Sequence, residues 1–163
     1  MKKILTIALV FTLSLPISFA CKKKTTTTST STNTSTVNTN TNTTNLSIDG
    51  NDVAGMGATG NVNGANEYQL YGSATGGYPN VNITFPDKVP SGTYSISAFS
   101  TTTPPPPAAG HCYFNYFSNI TNSSLASSGV VTVVVGSPNT AIFTNIACSG
   151  GAGSHSLTGA FKF

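Results

Sequence analysis

The chain has no tryptophan and no arginine, and only 7 % of its 163 residues are charged, against about 25 % in an ordinary soluble domain. Its formal net charge of +3 misleads, because Lys2, Lys3, Lys22, Lys23 and Lys24 all precede residue 46. Residues 46–163 keep Lys88 and Lys162 against Asp49, Asp52, Glu67 and Asp87. No basic stripe remains for phosphates, which excludes a nucleic-acid partner. Acids and histidines are nearly as scarce. Four carboxylates and two histidines leave few ways to build a facing carboxylate pair or a Ser-His-Asp constellation, and no G-x-S-x-G elbow occurs. The chain therefore reads as non-catalytic. The alternative is an exported hydrolase with a site near His111 or His155, since triads assemble in space.

What is present begins with an address. Met1-Lys2-Lys3 forms a positive head, Ile4 to Ile17 an apolar run, and Ser18-Phe19-Ala20 places small residues before Cys21. The run is too short to span a bilayer stably. Residues 1–20 resemble a bacterial lipoprotein signal, which implies lipidation of Cys21 and an anchor in the cell envelope, at the outer membrane. Ser18 stands where that box usually carries leucine, and the same residues suit an ordinary signal peptidase, so a secreted soluble product is the rival. The three cysteines bear on this choice: with Cys21 lipidated, Cys112 and Cys148 remain as a pair for a disulfide in an oxidising compartment.

From Thr25 to Asn45 every residue except Val37 is Thr, Ser or Asn. Such a run has nothing to bury and cannot offset the entropy of ordering, so 21–45 is expected to be a lipidated cysteine and a disordered tether. The 24 residues from Lys22 to Asn45 would reach about 80 Å fully extended and about 25–30 Å as a coil.

Residues 46–163 are written in strands. All 16 glycines and eight of the nine prolines fall here, as punctuation between period-two runs: Leu46/Ile48, Tyr68/Leu70, Val81/Ile83/Phe85, Tyr94/Ile96/Ala98, Val131/Val133/Val135 and Leu157/Phe161/Phe163. Cys112–Phe117 and Ala141–Cys148 are apolar at both parities, which suits central or covered strands. Turn pairs such as Asp49-Gly50, Gly76-Gly77 and Ser128-Gly129 separate the runs. The pattern predicts an all-β domain, an antiparallel β-sandwich of about eight to ten short strands. Ser47-Ile48-Asp49-Gly50, Gly92-Thr93-Tyr94 and Ser156 to Phe163 resemble segments of small β-sandwich domains in bacterial surface lipoproteins whose function is uncharacterised. That resemblance implies fold and location, and no catalytic residue.

Several segments offer sharper chemistry. Gly55-Met56-Gly57-Ala58-Thr59-Gly60 matches the dinucleotide fingerprint by letter, but no helix pattern follows to hold a pyrophosphate, so a flexible loop is expected and no cofactor. Asp49, Asn51 and Asp52 are oxygen donors close in sequence, read as a turn rather than a calcium loop. His111-Cys112 and Cys148 with His155 carry zinc-ligand types without the paired spacing of a zinc site, so no metal is expected. Pro104 to Pro107 is a stiff segment, either an edge crossover or a preordered surface. The tyrosines Tyr68, Tyr71, Tyr78, Tyr113 and Tyr116 fill a core or offer sugar-stacking faces. Function then reads as a membrane-anchored module that binds a protein or glycan partner or serves envelope structure.

Overall fold

The computed structural model describes residues 43–63, 67–86, 91–99 and 104–163; the expected signal segment 1–20, Cys21 and the polar stretch to residue 42 lie outside the described residues. Among the described residues there are eleven strands and no helix. They are β1 (Asn45–Ile48), β2 (Asn51–Asp52), β3 (Gly57–Val62), β4 (Tyr68–Ser73), β5 (Asn80–Phe85), β6 (Gly92–Ile96), β7 (His111–Phe117), β8 (Ser123–Ala126), β9 (Val130–Val134), β10 (Thr140–Gly150) and β11 (Gly153–Lys162). The all-β expectation holds. The count and the pairing differ from it: all eleven strands belong to one sheet, ten of them ordered β2-β1-β11-β10-β9-β6-β7-β5-β4-β3 with β8 off that path between β10 and β7, and β6 runs parallel to β7.

The local chemistry explains most of the elements. Asp49 (φ 53°) and Gly50 (φ 81°) both occupy the left-handed region, the two-residue hairpin that turns β1 into β2. β5 and β7 alternate strictly between buried and half-buried residues, as period-two strands with one core face must. β10 does so with a change of phase. A bulge between Phe143 and Ile146 inserts one residue, with Asn145 at φ 51°. The core-facing residues are therefore Ala141 and Phe143 before it, and Ile146 and Cys148 after it. The run that reads as apolar on both faces is one apolar face that switches parity. The buried Thr158 hydroxyl holds the bulge, accepting from Asn145 N at 2.9 Å.

β10 and β7 are the central strands. β10 pairs with β9 through Thr140–Phe143 and with β8 through Cys148–Gly150; β7 meets β6 at its start and β8 at its end. The core lies where the inner residues of β4, β5 and β7 touch those of β9, β10 and β11. Phe114 packs edge-on to Phe143 (5.1 Å, 73°) and Phe143 to Phe161 (5.1 Å, 83°), each pair adding about 0.5–1.5 kcal/mol beyond area burial. The rings fit because glycines make room. A Cβ on Gly72 would strike the Phe161 ring, and one on Gly159 would lie 2.7 Å from Phe143 and 2.8 Å from the Asn45 carbonyl. The start of the domain is stitched to its last strand: Lys162 N donates to Thr44 Oγ1 (3.0 Å) and Ala160 N to Asn45 Oδ1 (3.0 Å).

This packing makes two glycine substitutions diverge. Gly72→Ala should destabilise the domain by about 1–3 kcal/mol or more, because the buried Phe161 ring cannot retreat. Gly57→Ala, where a Cβ meets nothing within 4 Å, should change stability by no more than about 0.5 kcal/mol. Urea unfolding of both variants checks the difference; equal midpoints would remove Phe161–Gly72 from the account.

Candidate functional site

The inner residues of β4, β5 and β7 make core, and their outer residues make a site. Two rows cross these strands in register: Gln69–Thr84–Tyr113, and Tyr71–Asn82–Asn115. Phe99, from the segment after β6, packs on Tyr113 with ring centroids 4.7 Å apart and tilted by 57°. Pro104 approaches from the polyproline segment and Glu67 from the β3–β4 connection. Together with Gln69, Asn82, Thr84 and Asn115 they enclose a cavity of about 350 Å³, at the small end of the ~300–1,000 Å³ usual for ligand pockets. Tyr71 Oη donates to Gln69 Oε1 at 2.6 Å and fixes that amide. The Oδ1 atoms of Asn82 and Asn115 are shut off from solvent and have no hydrogen-bond partner. Each such atom costs about 1–3 kcal/mol.

A second cluster sits where β1 turns and β11 begins. Asp49 N donates to Ser156 O (2.9 Å), and Asp49 Oδ1 accepts from Ser156 N (2.8 Å). Its other oxygen lies 2.7 Å from His155 Nδ1, and His155 Nε2 lies 2.9 Å from Ala152 O. A carboxylate and a carbonyl only accept, so both bonds form only when both ring nitrogens carry hydrogen. The His155 pKa is accordingly raised above its ordinary 6.5, first by Asp49 and then by the Ala152 carbonyl. Asp49 is lowered below 3.8 by His155 and by the Ser156 amide. Tyr116 stacks edge-on to the imidazole at 5.2 Å. A cavity of about 320 Å³ adjoins the pair, lined also by Ser127, Ser149, Ser154 and Ser156.

The other residues singled out in sequence fall as follows. Cys21 is outside the described residues. Cys112 and Cys148 are both free and buried, so the expected disulfide is corrected. The register gives the reason. β8 lies between β7 and β10, with Cys148 opposite Ala126 and Asn115 opposite Leu125. Two strand spacings and about two residues of rise put the cysteine α-carbons roughly 12 Å apart, beyond the roughly 7 Å that a disulfide spans. Burial pushes both thiols up to about 12, which makes them core residues rather than nucleophiles. His111 Nδ1 bonds Ser97 Oγ at 2.8 Å, away from His155. No group of three or more metal-ligating side chains forms among the described residues. The dinucleotide-like stretch is not a loop: Gly57 to Val62 is strand β3, and Gly60 leaves the room that the Tyr68 ring fills. Asp49 and Asn51 cap their own turn, Asn51 Nδ2 donating to Asp49 O at 3.4 Å. The tyrosines divide, with Tyr94 and Tyr116 in the core and Tyr113 at the outer cavity.

No family model matches the chain, and no curated protein and no solved structure matches it. The likeness to surface lipoproteins rests on the residues quoted for it.

Two outcomes follow from this chemistry. The native thiols should resist aromatic disulfide reagents until the chain is unfolded, and reductant should leave the melting midpoint unchanged. A midpoint that falls with reductant would restore the disulfide. For the Asp49–His155 pair the signs run in opposite senses. The raised His155 contributes fully below 6.5, and its contribution is lost as pH rises through its folded pKa; the lowered Asp49 contributes above 3.8, and its contribution is lost as pH falls through its folded pKa. Stability should peak between these values and decline on both sides by about 1 kcal/mol or less, as for a solvent-screened pair. Asp49→Asn, which tolerates the same left-handed backbone, should flatten both slopes in urea midpoints taken across pH.

Proposed function

We propose that this chain is a non-catalytic lipoprotein of the cell envelope, held at the outer membrane by lipid on Cys21, whose all-β domain presents a binding face. In this reading the sheet folds over its aromatic core as a sandwich, and the polar stretch behind it is the tether. The observation that carries the reading is the cavity on the outer face of β4, β5 and β7. The side-chain oxygens of Asn82 and Asn115 on its floor are left unpaired at a cost in stability. Among the described residues the other such buried atom is Ser47 Oγ on β1, and only in this cavity do two of them stand opposite each other on paired strands. A domain keeps such a cost where an occupant relieves it.

A hydrolase at Asp49–His155 is the second reading, favoured by the 2.7 Å contact and the serines around it. Against it stands the Ala152 carbonyl. A general base must receive a proton at the nitrogen facing its nucleophile, and that nitrogen is already donating to Ala152 O. The pair reads better as a clasp between the β1–β2 turn and β11.

The chain expressed in a lipoprotein-processing bacterium should take up an alkynyl fatty acid and sediment with membranes. Cys21→Ser should do neither. The released Cys21→Ser chain should co-sediment with isolated native envelopes, and adding Tyr113→Ala should abolish that retention, while adding His155→Gln should not. Ester hydrolysis that disappears in His155→Gln would replace this reading with the hydrolase.

A further inference from the structure

We propose that the cavity over β4, β5 and β7 is a saccharide site, taking a neutral pyranose unit of a glycan. This rests on the binding reading above and supplies its ligand class.

The lining decides the charge of the ligand. Gln69, Asn82, Asn115 and Thr84 are uncharged, and Glu67 is the one ionisable carboxylate among the described lining residues. That carboxylate accepts from Asn63 Nδ2 at 2.5 Å. Among the described lining residues an anionic ligand would find no cation, and a cationic one a single carboxylate already bonded. Amides do suit hydroxyls. Each offers two N–H donors and a carbonyl with two lone pairs, so adjacent amides can bracket neighbouring hydroxyls, each of which donates one bond and accepts others. Asn82 and Asn115 face each other across β5 and β7 with their oxygens unspent. The asparagine χ2 torsion is soft, so either end of each amide can turn toward an occupant.

The walls decide its shape. A pyranose presents C–H bonds on one face and hydroxyls at its edge. The Tyr113–Phe99 pair, locked ring on ring, and Pro104 offer the apolar surface for the first, and the amide floor takes the second. Aromatic rings present such surface at low cost in side-chain entropy. The floor is built on three hydrogen-bonded strands, so little ordering is needed on binding.

The topology argues against a peptide. Extended peptides bind β-domains by adding to a sheet edge through backbone hydrogen bonds. β5 is flanked by β4 and β7 along its length, so its backbone groups are spent and only side chains are left to recognise a ligand. Side-chain recognition of a compact polyol fits that floor.

The full chain in detergent micelles should be titrated by calorimetry with cellohexaose, xylohexaose, mannohexaose and chitohexaose. Saturable binding of at least one is expected. Tyr113→Ala and Asn115→Leu should each weaken it about tenfold or more, the loss of one good contact. Asn115→Leu carries its own control for folding: removing an unpartnered buried oxygen should leave the melting midpoint unchanged or raised while affinity falls. Val134→Thr, at an exposed position of β9, should alter neither. The proposal is overturned if no oligosaccharide of the panel binds, if binding survives both cavity variants, or if a random peptide library binds there instead. Envelope retention that depends on Tyr113 without saccharide binding would sink the saccharide and leave the binding module standing. Loss of both would remove the two together.

Discussion

The Phe161 ring rests on a glycine. Gly72 in β4 has no side chain, and the space is taken by a ring from the far part of the same sheet. That close approach sets the distance between β4 and β11 and lets Phe143 and Phe114 close the stack behind it. Gly159 repeats the device one layer away, clearing room for Phe143 beside the Asn45 carbonyl. With no helix among the described residues, distant strands are brought together through side chains, and here a small set of aromatic rings against bare backbone does so. Everything outside the core, including the polar rows on β4, β5 and β7, takes its position from that contact.

The two clusters of polar chemistry differ in how they are satisfied. At the Asp49–His155 corner the polar groups are paired: carboxylate, imidazole, two backbone N–H groups and two carbonyls close a circuit from the first hairpin to the last strand. On the outer face the amide oxygens of Asn82 and Asn115 have none. A satisfied network stabilises and stays closed, whereas an unsatisfied one is a place where something else can bind. The contrast separates clasp from site without any appeal to likeness.

Much of the fold was legible because hydrophobic alternation reports burial directly. β1, β4, β5 and β9 lie where Leu46/Ile48, Tyr68/Leu70, Val81/Ile83/Phe85 and Val131/Val133 place them. β3 was illegible for a physical reason: it carries no large inward side chains, because its Gly60 yields space to Tyr68. β8 is short and half serine, and it is a strand because β7 and β10 offer free edges on either side of it. The bulge at Asn145 erased the parity of β10. The cysteine pairing failed because compartment and count say nothing of register, and one interposed strand is enough to forbid a bond. The candidate cavity was half visible. Tyr113 is one of the tyrosines that offer a stacking face in the sequence, but Asn82 and Thr84 occupy the polar half of an alternating strand and look like solvent face. Only the return of Phe99 and Pro104 over them turns surface into pocket.

The stitching of Thr44 and Asn45 to β11 has a mechanical meaning. On the proposed anchoring, any drag on the domain in flow enters at residue 44. There the load meets the Thr44 hydroxyl, which both accepts from Lys162 N and donates to Lys162 O (3.2 Å), before it reaches the β1–β11 ladder. A pull along β1 loads its ladder bonds together, whereas a pull across it would break them one at a time. The direction in which the chain leaves residue 44 thus determines whether the domain meets force as a clamp or as a zipper.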